Sequence, residues 1–184
     1  MMEVAGNAAQ VIVANASGIT CNSCGFINAE RGAFVTGTPL VVAGNLIGYN
    51  VTKGQVTINK AISSADAIDF IARSVLISGD VNAKELNIAT GNNLFDANGN
   101  ELSTLTNTNI SSKGVTIGAN GKLNADKINI NSVGSGYLLN NNGLINAGST
   151  GLTVNSDSIY NTAVIQSVGD INITSTSNIV FNNK

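Results

Sequence analysis

Two cysteines in a C-x-x-C spacing, Cys21 and Cys24, are the residues of this chain best suited to specific chemistry. A structural zinc site needs four ligands, and two thiols in a sequence without histidine cannot complete one within this chain. A redox-active C-x-x-C usually opens a helix of a βαβ unit, which the surrounding residues do not predict. A structural disulfide is the third alternative, and it requires an oxidising compartment.

The acidic residues do not form a catalytic pattern. Eleven Asp and Glu residues are scattered along the chain, and the closest pair, Asp66 and Asp69, favours a solvated or capping role. The absence of histidine excludes a His-based triad. The glycines match neither the phosphate-binding loop nor the dinucleotide-binding fingerprint, and calcium-binding nonapeptide repeats are missing. We therefore expect no catalytic residues, no metal site and no cofactor.

Charge and hydropathy exclude two further classes of protein. With a net charge of −2 and a pI near 4.9, the chain lacks a basic stripe, so we expect no nucleic-acid partner. No apolar run approaches the ~20 residues that span a bilayer. The N-terminal residues lack a basic region followed by an apolar stretch, so the sequence as it stands predicts no export signal.

The elements that must position the cysteines are predicted to be short strands. Hydrophobic residues make up 43% of the chain and charged residues only 11%, against a usual charged share of about 25%. Asparagine, about one residue in six, and glycine both tolerate the left-handed conformation of tight corners. The predicted strands of the first half, separated by short corners as in a solenoid coil, are 10–14, 26–28, 33–36 and 40–42.

Two segments give weaker signals. Residues 62–73 have apolar positions that suit a helical face, and we favour a short turn or helix leading into a strand at residues 74–77. Residues 96–112 contain a turn cluster and a Thr/Asn/Ser run without an apolar stripe, which predicts a loop or irregular coil. Arg31 and Arg73 are interpreted as structural residues that hold loops in place.

After residue 113 the sequence repeats at a spacing of about 20 residues. The repeated apolar motifs are 122–125, 143–147 and 163–167, and the strands that follow them are 127–130, 151–154 and 170–173. This period predicts stacked coils, in which outward Asn, Thr and Ser side chains hydrogen bond to like neighbours one coil away. The alternative is an antiparallel sheet with hairpin turns at Asn98-Gly99, Asn120-Gly121 and Asn142-Gly143. We favour the solenoid because the pattern repeats by translation rather than by reversal.

The region around the cysteines resembles a known family. Residues 14–19 are Ala-Asn-Ala-Ser-Gly-Ile, residues 20–28 are Thr-Cys-Asn-Ser-Cys-Gly-Phe-Ile-Asn, and Arg31 and the Thr-Gly-Thr-Pro of residues 36–39 follow. This order is similar to the ANPNGI, TC-x-x-C-G-F-I-N and TLTTGTP motifs of the two-partner secretion domain. That domain occurs in filamentous haemagglutinin, haemolysin-type and contact-dependent growth inhibition exoproteins.

A second block supports the same resemblance. Residues 69–77 are similar to the family pattern D-x-I-A-R-x-x-x-I, and residues 83–93 are similar to A-K-x-L-x-V-x-T-G-x-N. The chain departs from the family at Ala16 and Ser17, where the family usually has Pro and Asn. The resemblance covers the chain from about Glu3 to Asn93.

The resemblance implies an all-β fold, a right-handed parallel β-helix. This β-solenoid would have a single-stranded, pectin-lyase-like architecture with short β extensions. Residues 1–95 would be the C-terminal part of the secretion domain, residues 96–112 a loop or irregular coil, and residues 113–184 the first filamentous haemagglutinin-type repeats. Family exoproteins begin with a signal peptide and a further N-terminal portion, so we expect an N-terminally truncated fragment.

The resemblance also implies a function. Secretion domains of this family engage the periplasmic domains of a dedicated outer-membrane transporter, and their exoproteins reach the cell surface through the periplasm. The chain would then be a non-enzymatic, secretion-directing segment that begins a β-helical filament presenting an adhesin or toxin. Asn15, Gly18 and Ile19 match the recognition motif and form the candidate transporter-binding turn; otherwise they are a tight coil corner. In an exported protein we expect Cys21 and Cys24 to form a local disulfide.

Two other functions stay open. Direct adhesion to a glycan or receptor on a host or neighbouring cell would use exposed aromatic side chains on one face, whereas Tyr49, Tyr137 and Tyr160 are few and scattered. A passive stalk would bind no ligand. An open strand edge on the first coil also predicts end-to-end self-association.

Overall fold

The computed structural model describes residues 1–63, 66–104, 114–132, 134 and 136–184, and all regular secondary structure in these ranges is β-strand. The strands are β1 (Met2–Glu3), β2 (Ala9–Ala14), β3 (Ile19–Cys21), β4 (Cys24–Ile27), β5 (Ala29–Val35), β6 (Thr38–Val42), β7 (Asn45–Asn50), β8 (Gln55–Ile58), β9 (Ile62–Ser63), β10 (Ala67–Ala72), β11 (Ser74–Ile77), β12 (Asp80–Asn82), β13 (Glu85–Thr90), β14 (Asn93–Asp96), β15 (Glu101–Thr104), β16 (Gly114–Ile117), β17 (Lys122–Ser132), β18 (Leu138–Asn141), β19 (Leu144–Asn161), β20 (Val164–Ser167) and β21 (Ile171–Phe181). In the same ranges there is no helix long and apolar enough to cross a membrane.

Three walls of parallel strands form a β-helix. The first wall contains β2, β5, β10, β13 and parts of β17, β19 and β21. The second wall contains β3, β8, β11, β16, β18 and the later parts of β19 and β21. The third wall contains β1, β4, β9, β12, the first parts of β17 and β19, and β20. Each turn of the chain therefore adds one strand to each wall.

The interior between the walls is apolar. In the first wall Phe34, Phe70, Ile88 and Ile130 stack in register on successive coils, and all four are buried. The ring of Phe26 from the third wall lies 5.3 Å from that of Phe34, and the rings of Phe34 and Phe70 are 6.0 Å apart. Burying each such side chain contributes about 1.5–3 kcal/mol. Because these contacts run between coils, no coil can bury its apolar side alone.

A second, antiparallel sheet lies outside the first wall. It contains β6, β7, β14 and β15, in the order β15-β14-β7-β6. Its Tyr49 and Phe95 are fully buried in a second hydrophobic cluster with Val35, Ile71 and Ala89, which belong to the first wall. We call this sheet the extension. It covers outward-facing apolar residues that would otherwise be exposed.

Asparagine side chains link successive coils. On the third wall Asn146 Nδ2 donates to Asn124 Oδ1 at 3.3 Å. At the corner between the second and third walls, Asn141 Nδ2 donates to Asn161 Oδ1 at 2.7 Å, and Asn161 Nδ2 donates to Asn183 Oδ1 at 3.3 Å. An amide has both a donor and an acceptor, so identical stacked neighbours satisfy each other, whereas stacked like charges repel. This geometry accounts for the low charged fraction.

The structure confirms the predicted fold class, including the short β extensions. The C-terminal repeats stack in register, with Leu123, Ile145 and Ile165 aligned in the third wall. Asn120-Gly121 and Asn142-Gly143 are corners between strands of parallel walls, so the antiparallel alternative is wrong there. Among the Asn-Gly pairs of the described residues, only Asn98-Gly99 joins antiparallel strands, which are β14 and β15.

Some local predictions are wrong. A helix within residues 62–73 is replaced by β10, a strand whose six residues are all buried. Its inward side chains meet the core and Ile71 is covered by the extension, so the alternation of a half-exposed strand is absent. Residues 40–42 belong to the extension, not to a coil.

The segment predicted as a loop, residues 96–112, is described only in part. Its residues Glu101–Thr104 form strand β15, which pairs with β14. The remainder of the prediction, like residues 64 and 65 of the preceding one, lies outside the described residues. The division into domains at residues 95 and 113 stays a prediction.

Candidate functional site

The candidate turn at residues 15–18 is the corner between β2 in the first wall and β3 in the second. Asn15 N donates to Val35 O of the next coil at 2.9 Å, and Gly18 N closes the turn on Asn15 O at 3.1 Å. The Asn15 side chain accepts a hydrogen bond from Ser17 N at its Oδ1, 3.0 Å away. Asn15 is thus exposed but conformationally fixed by an Asx turn.

The three predicted residues come together in this turn but differ in what they contribute. Asn15 is exposed, whereas Gly18 and Ile19 are partly buried. Gly18 has a φ of +124°, and a Cβ there would lie 3.1 Å from Gln55 O, so this position requires glycine. Ile19 pairs with Val56 and packs against the main core. Of the three, only Asn15 has an exposed side chain, while Gly18 and Ile19 shape and anchor the turn.

The turn lies directly on the chain of the next coil. A Cβ on Gly54 would lie 2.7 Å from Ala16 O, so the two segments are in contact through their backbones. Thr36 Oγ1 donates to Gly54 O at 3.4 Å and accepts a hydrogen bond from Arg73 N at 3.2 Å. Arg73 Nη1 donates to Thr52 O at 2.9 Å. Sequence reasoning predicted a loop-holding role for Arg73, but it did not identify Thr36 or Gly54.

Cys21 and Cys24 are joined by a disulfide at the corner between the second and third walls. The backbone on both sides is bound to the following coil: Asn59 N donates to Cys21 O at 2.9 Å, and Cys24 N donates to Ala61 O at 3.1 Å. Ser23, between the cysteines, has a φ of +83°. The disulfide closes a corner whose backbone is otherwise unfavourable for an L-residue.

A charged cluster lies on the outer side of the first wall. Arg31 Nη1 donates to both carboxylate oxygens of Asp69, at 2.6 and 2.8 Å, and Asn87 Nδ2 donates to Asp69 Oδ1 at 3.0 Å. Lys127 Nζ lies 3.4 Å from Glu85 Oε1. Asp69 is almost completely buried, so the expected solvated or capping role is wrong for this residue. A carboxylate is tolerated at this buried, outward-facing position because the guanidinium of Arg31 lies next to it.

The pKa values of this cluster follow from its pairing. Burial alone would lower the pKa of Arg31, but hydrogen bonding and the charge of Asp69 outweigh burial and raise it. Burial would raise the pKa of Glu85, and hydrogen bonds from Asn87 and Lys127, with the charge of Lys127, lower it instead. Burial, followed by the charge of Asp69, raises the pKa of Tyr49 to about 12. Arg31 and Glu85 therefore stay charged, and Tyr49 stays neutral, near neutral pH.

A cleft of about 400 Å³ lies beside this cluster, between the first wall and the 98–100 turn of the extension. Its charged lining groups, Arg31, Asp69, Glu85 and Lys127, already pair with one another. Within the described ranges there is no group of three or more metal-ligating Cys, Asp or Glu side chains. The charged side chains that line the cleft therefore satisfy one another.

Comparison with known proteins agrees with the fold and the motifs. The chain matches the sequence profile of the TPS secretion domain over residues 1–180. It is similar in structure to a chain described as the filamentous hemagglutinin secretion domain, with a TM-score of 0.70 and 23% sequence identity over 96% of this chain and 66% of that one. At this identity the likeness shows the β-helical fold alone.

Curated relatives are large proteins that contain a similar segment. Toxin CdiA of Yersinia pestis is 48% identical over 99 residues, which cover 52% of this chain and 3% of that protein. Toxin CdiA of Escherichia coli is 39% identical over 130 residues, and 16S rRNA endonuclease CdiA of Enterobacter cloacae is 43% identical over 131 residues. Each of these alignments covers 68% of this chain and 4% of the relative. On the match over residues 1–180, this chain belongs to the TPS secretion domain family.

Proposed function

We propose that this secretion domain is recognised by the periplasmic domains of a dedicated outer-membrane transporter through the 15–18 turn. The observation that carries the proposal is the exposed Asn15 side chain, which the Asx turn and Gly18 hold in one conformation. A rigid polar turn loses little conformational entropy on binding. Ile19 anchors the turn to the core, so the recognition element and the folded coil form one unit.

Stacking of coils gives export a direction. Each coil buries its apolar side only against its neighbour, as Phe34 does against Phe70. A coil that emerges from the transporter can therefore fold on the coil before it, and folding outside the cell helps to draw out the rest of the chain. The chain acts in this scheme as the non-catalytic start of a β-helical filament that presents an adhesin or toxin at the cell surface.

Two alternatives have less support. Direct glycan adhesion favours several exposed aromatic side chains on one face, but Tyr49 and Tyr137 are buried, and Tyr160 is 39% exposed on the second wall. A passive stalk would give the 15–18 turn no special role. The names of the relatives, toxin and nuclease, describe those large proteins, and this chain spans about 3–4% of their length.

The test is binding of the folded domain to the isolated periplasmic domains of its transporter. An Asn15→Ala, Gly18→Ala variant is expected to lose binding, since it removes the Asx turn and places a Cβ at a positive φ. Asn59→Ala is a matched control because Asn59 is also an exposed corner asparagine, with a hydrogen bond to Asn22 Oδ1 at 2.8 Å. Equal binding by all three proteins would favour a stalk, with residues 15–18 a plain corner.

We also propose that the domain associates end to end through its open β-helix ends. Strand β2 pairs with β5 on one side, and no described strand pairs with its other edge. At the opposite end Ile171, Ile179 and Phe181 are 45%, 53% and 45% exposed. Sedimentation over a range of concentrations is expected to show self-association that an Ile179→Lys, Phe181→Lys variant reduces. A monomer at all concentrations would contradict the proposal.

A further inference from the structure

The 15–18 turn is one half of a larger surface. After β6 and β7 the chain returns to the same corner at residues 51–55, directly beside the turn. A Cβ on Gly54 would lie 2.7 Å from Ala16 O, and one on Gly18 would lie 3.1 Å from Gln55 O, so no side chain separates the segments. We call residues 15–18 and 51–55 together the double turn.

The second half of the double turn is held from below by a buried arginine. Arg73 is 7% exposed and donates from Nη1 to Thr52 O, while its main-chain N donates to Thr36 Oγ1, which in turn donates to Gly54 O. All eleven acidic residues of the chain lie in the described ranges, and none of them forms an ion pair with Arg73. The guanidinium therefore holds this segment through the carbonyl oxygen of Thr52, without a carboxylate partner among the described residues.

The outer side of the double turn carries a single charge. Asn15, Ser17, Thr52 and Lys53 are all exposed. Among the residues of the two segments, Lys53 is the only charged one. A surface of one amide, two hydroxyls and one ammonium group fits a polar partner surface that presents a carboxylate.

We propose that the docking surface for the transporter is the double turn, with Lys53 binding a carboxylate of the periplasmic domains and Arg73 acting as a positioning residue. This inference rests on the proposed function. Asn15 alone gives a partner little contact area, whereas two adjoining rigid turns give it a surface with both hydrogen-bonding groups and a defined charge.

The first experiment compares charge reversals of equal size in binding to the isolated periplasmic domains. Lys53→Glu is expected to raise Kd at low salt by about tenfold or more, and high salt should remove most of the difference. Lys60→Glu is the matched control, because Lys60 is exposed at the corner between the second and third walls. Equal effects of the two variants would overturn the proposal, since they would report only the overall charge.

The second experiment tests the role of Arg73 by a double-mutant cycle. Arg73→Gln is expected to weaken binding, and Lys53→Glu should then raise Kd by much less than it does in the parent protein, while Arg73→Lys restores part of the affinity. If Arg73→Gln does not fold, Thr36→Val tests the neighbouring support of the same segment, the hydrogen bond from Thr36 Oγ1 to Gly54 O. Additive effects in both backgrounds would contradict positioning by Arg73.

The outcomes separate this inference from the proposed function. If the Asn15→Ala, Gly18→Ala variant loses binding while Lys53→Glu behaves like Lys60→Glu, the 15–18 turn recognises the transporter but the double turn does not. If the parent domain does not bind at all, both proposals fail.

Discussion

The middle and later coils of this β-helix use the same outward positions in opposite ways. On the first wall, Ile71 and Ala89 align in register with Asn131 and Asn155. The first two lie under the extension, whereas Asn155 is exposed. The inward column of Phe34, Phe70, Ile88 and Ile130, in contrast, stays apolar. The difference shows that the inward residues define the solenoid, while the polarity of the outward column depends on whether the extension covers it.

The largest expected effect comes from uncovering the outward column. Phe95→Ala removes a fully buried ring that covers the first wall and is expected to destabilise the protein by about 3–5 kcal/mol. Asn155→Ala, in the bare part of the same wall, should change stability by less than about 0.5 kcal/mol. Urea unfolding followed by circular dichroism measures both variants. Similar costs at the two positions would mean that the extension contributes little to the fold.

A second effect concerns the neighbouring column, where Asp69, Asn87 and Asn129 align. Asp69→Ala leaves Arg31 without its bidentate partner, and we expect a loss of about 2–3 kcal/mol, less than for a fully buried pair because the Arg31 side chain is 28% exposed. Asn129→Ala removes one hydrogen bond to Asn87, at about 1 kcal/mol. Chemical denaturation of the two variants compares them. A larger loss for Asn129 would contradict the role given to the ion pair.

Reduction of the disulfide should have a smaller and local effect. The chain-entropy treatment gives at most about 1.9 kcal/mol for so short a loop. Far-UV circular dichroism is expected to be unchanged by reductant, and hydrogen exchange should quicken only near Cys21 and Cys24, leaving β19 protected. A Cys21→Ala, Cys24→Ala variant serves as a control for direct effects of the reductant. Loss of most β-structure would show that the first coil holds the whole solenoid together.

The smallest predicted effect is a pH dependence that resides in the first half. Because the folded pKa of Glu85 is lowered, its contribution is present above the unfolded value of about 4.3 and is lost as the pH falls through the folded pKa. Glu85→Gln should therefore make Tm fall less steeply below about pH 4.5. The corresponding change in the free energy of unfolding is well under about 1 kcal/mol, because the Glu85 side chain is 33% exposed. Asp170→Asn in the last coil is the control. Equal flattening by both variants would contradict the assignment.

The sequence predicts the regular part of this fold well. Leu123, Ile145 and Ile165 recur by translation, and a translated apolar position can be buried only by stacking. Strand β10 escaped prediction because both of its sides are covered, so its apolar residues do not alternate with exposed ones. The packing of the extension on the first wall could not be predicted either, because the contact between Phe95 and Ile71 joins residues that are far apart in the chain.

The candidate site was predictable only in part. The motif resemblance identified the 15–18 turn, and an Asx turn is consistent with the types of Asn15 and Gly18. The approach of Gly54 to Ala16 depends on where the chain returns after β6 and β7, which no local pattern specifies. The local sequence Lys53-Gly54 does not predict this contact.

The corner asparagines Asn141 and Asn161 make each of their coils depend on the coil that follows. Asn141 and Asn161 are fully buried, and Asn141 donates both to Asn161 Oδ1 and to Val164 O, groups of the coil that follows. Until that coil is in place, its amide must either stay hydrated or remain unsatisfied, which costs about 1–3 kcal/mol once buried. At these two corners the following coil thus removes a penalty left by the one before, so loss of that coil is opposed.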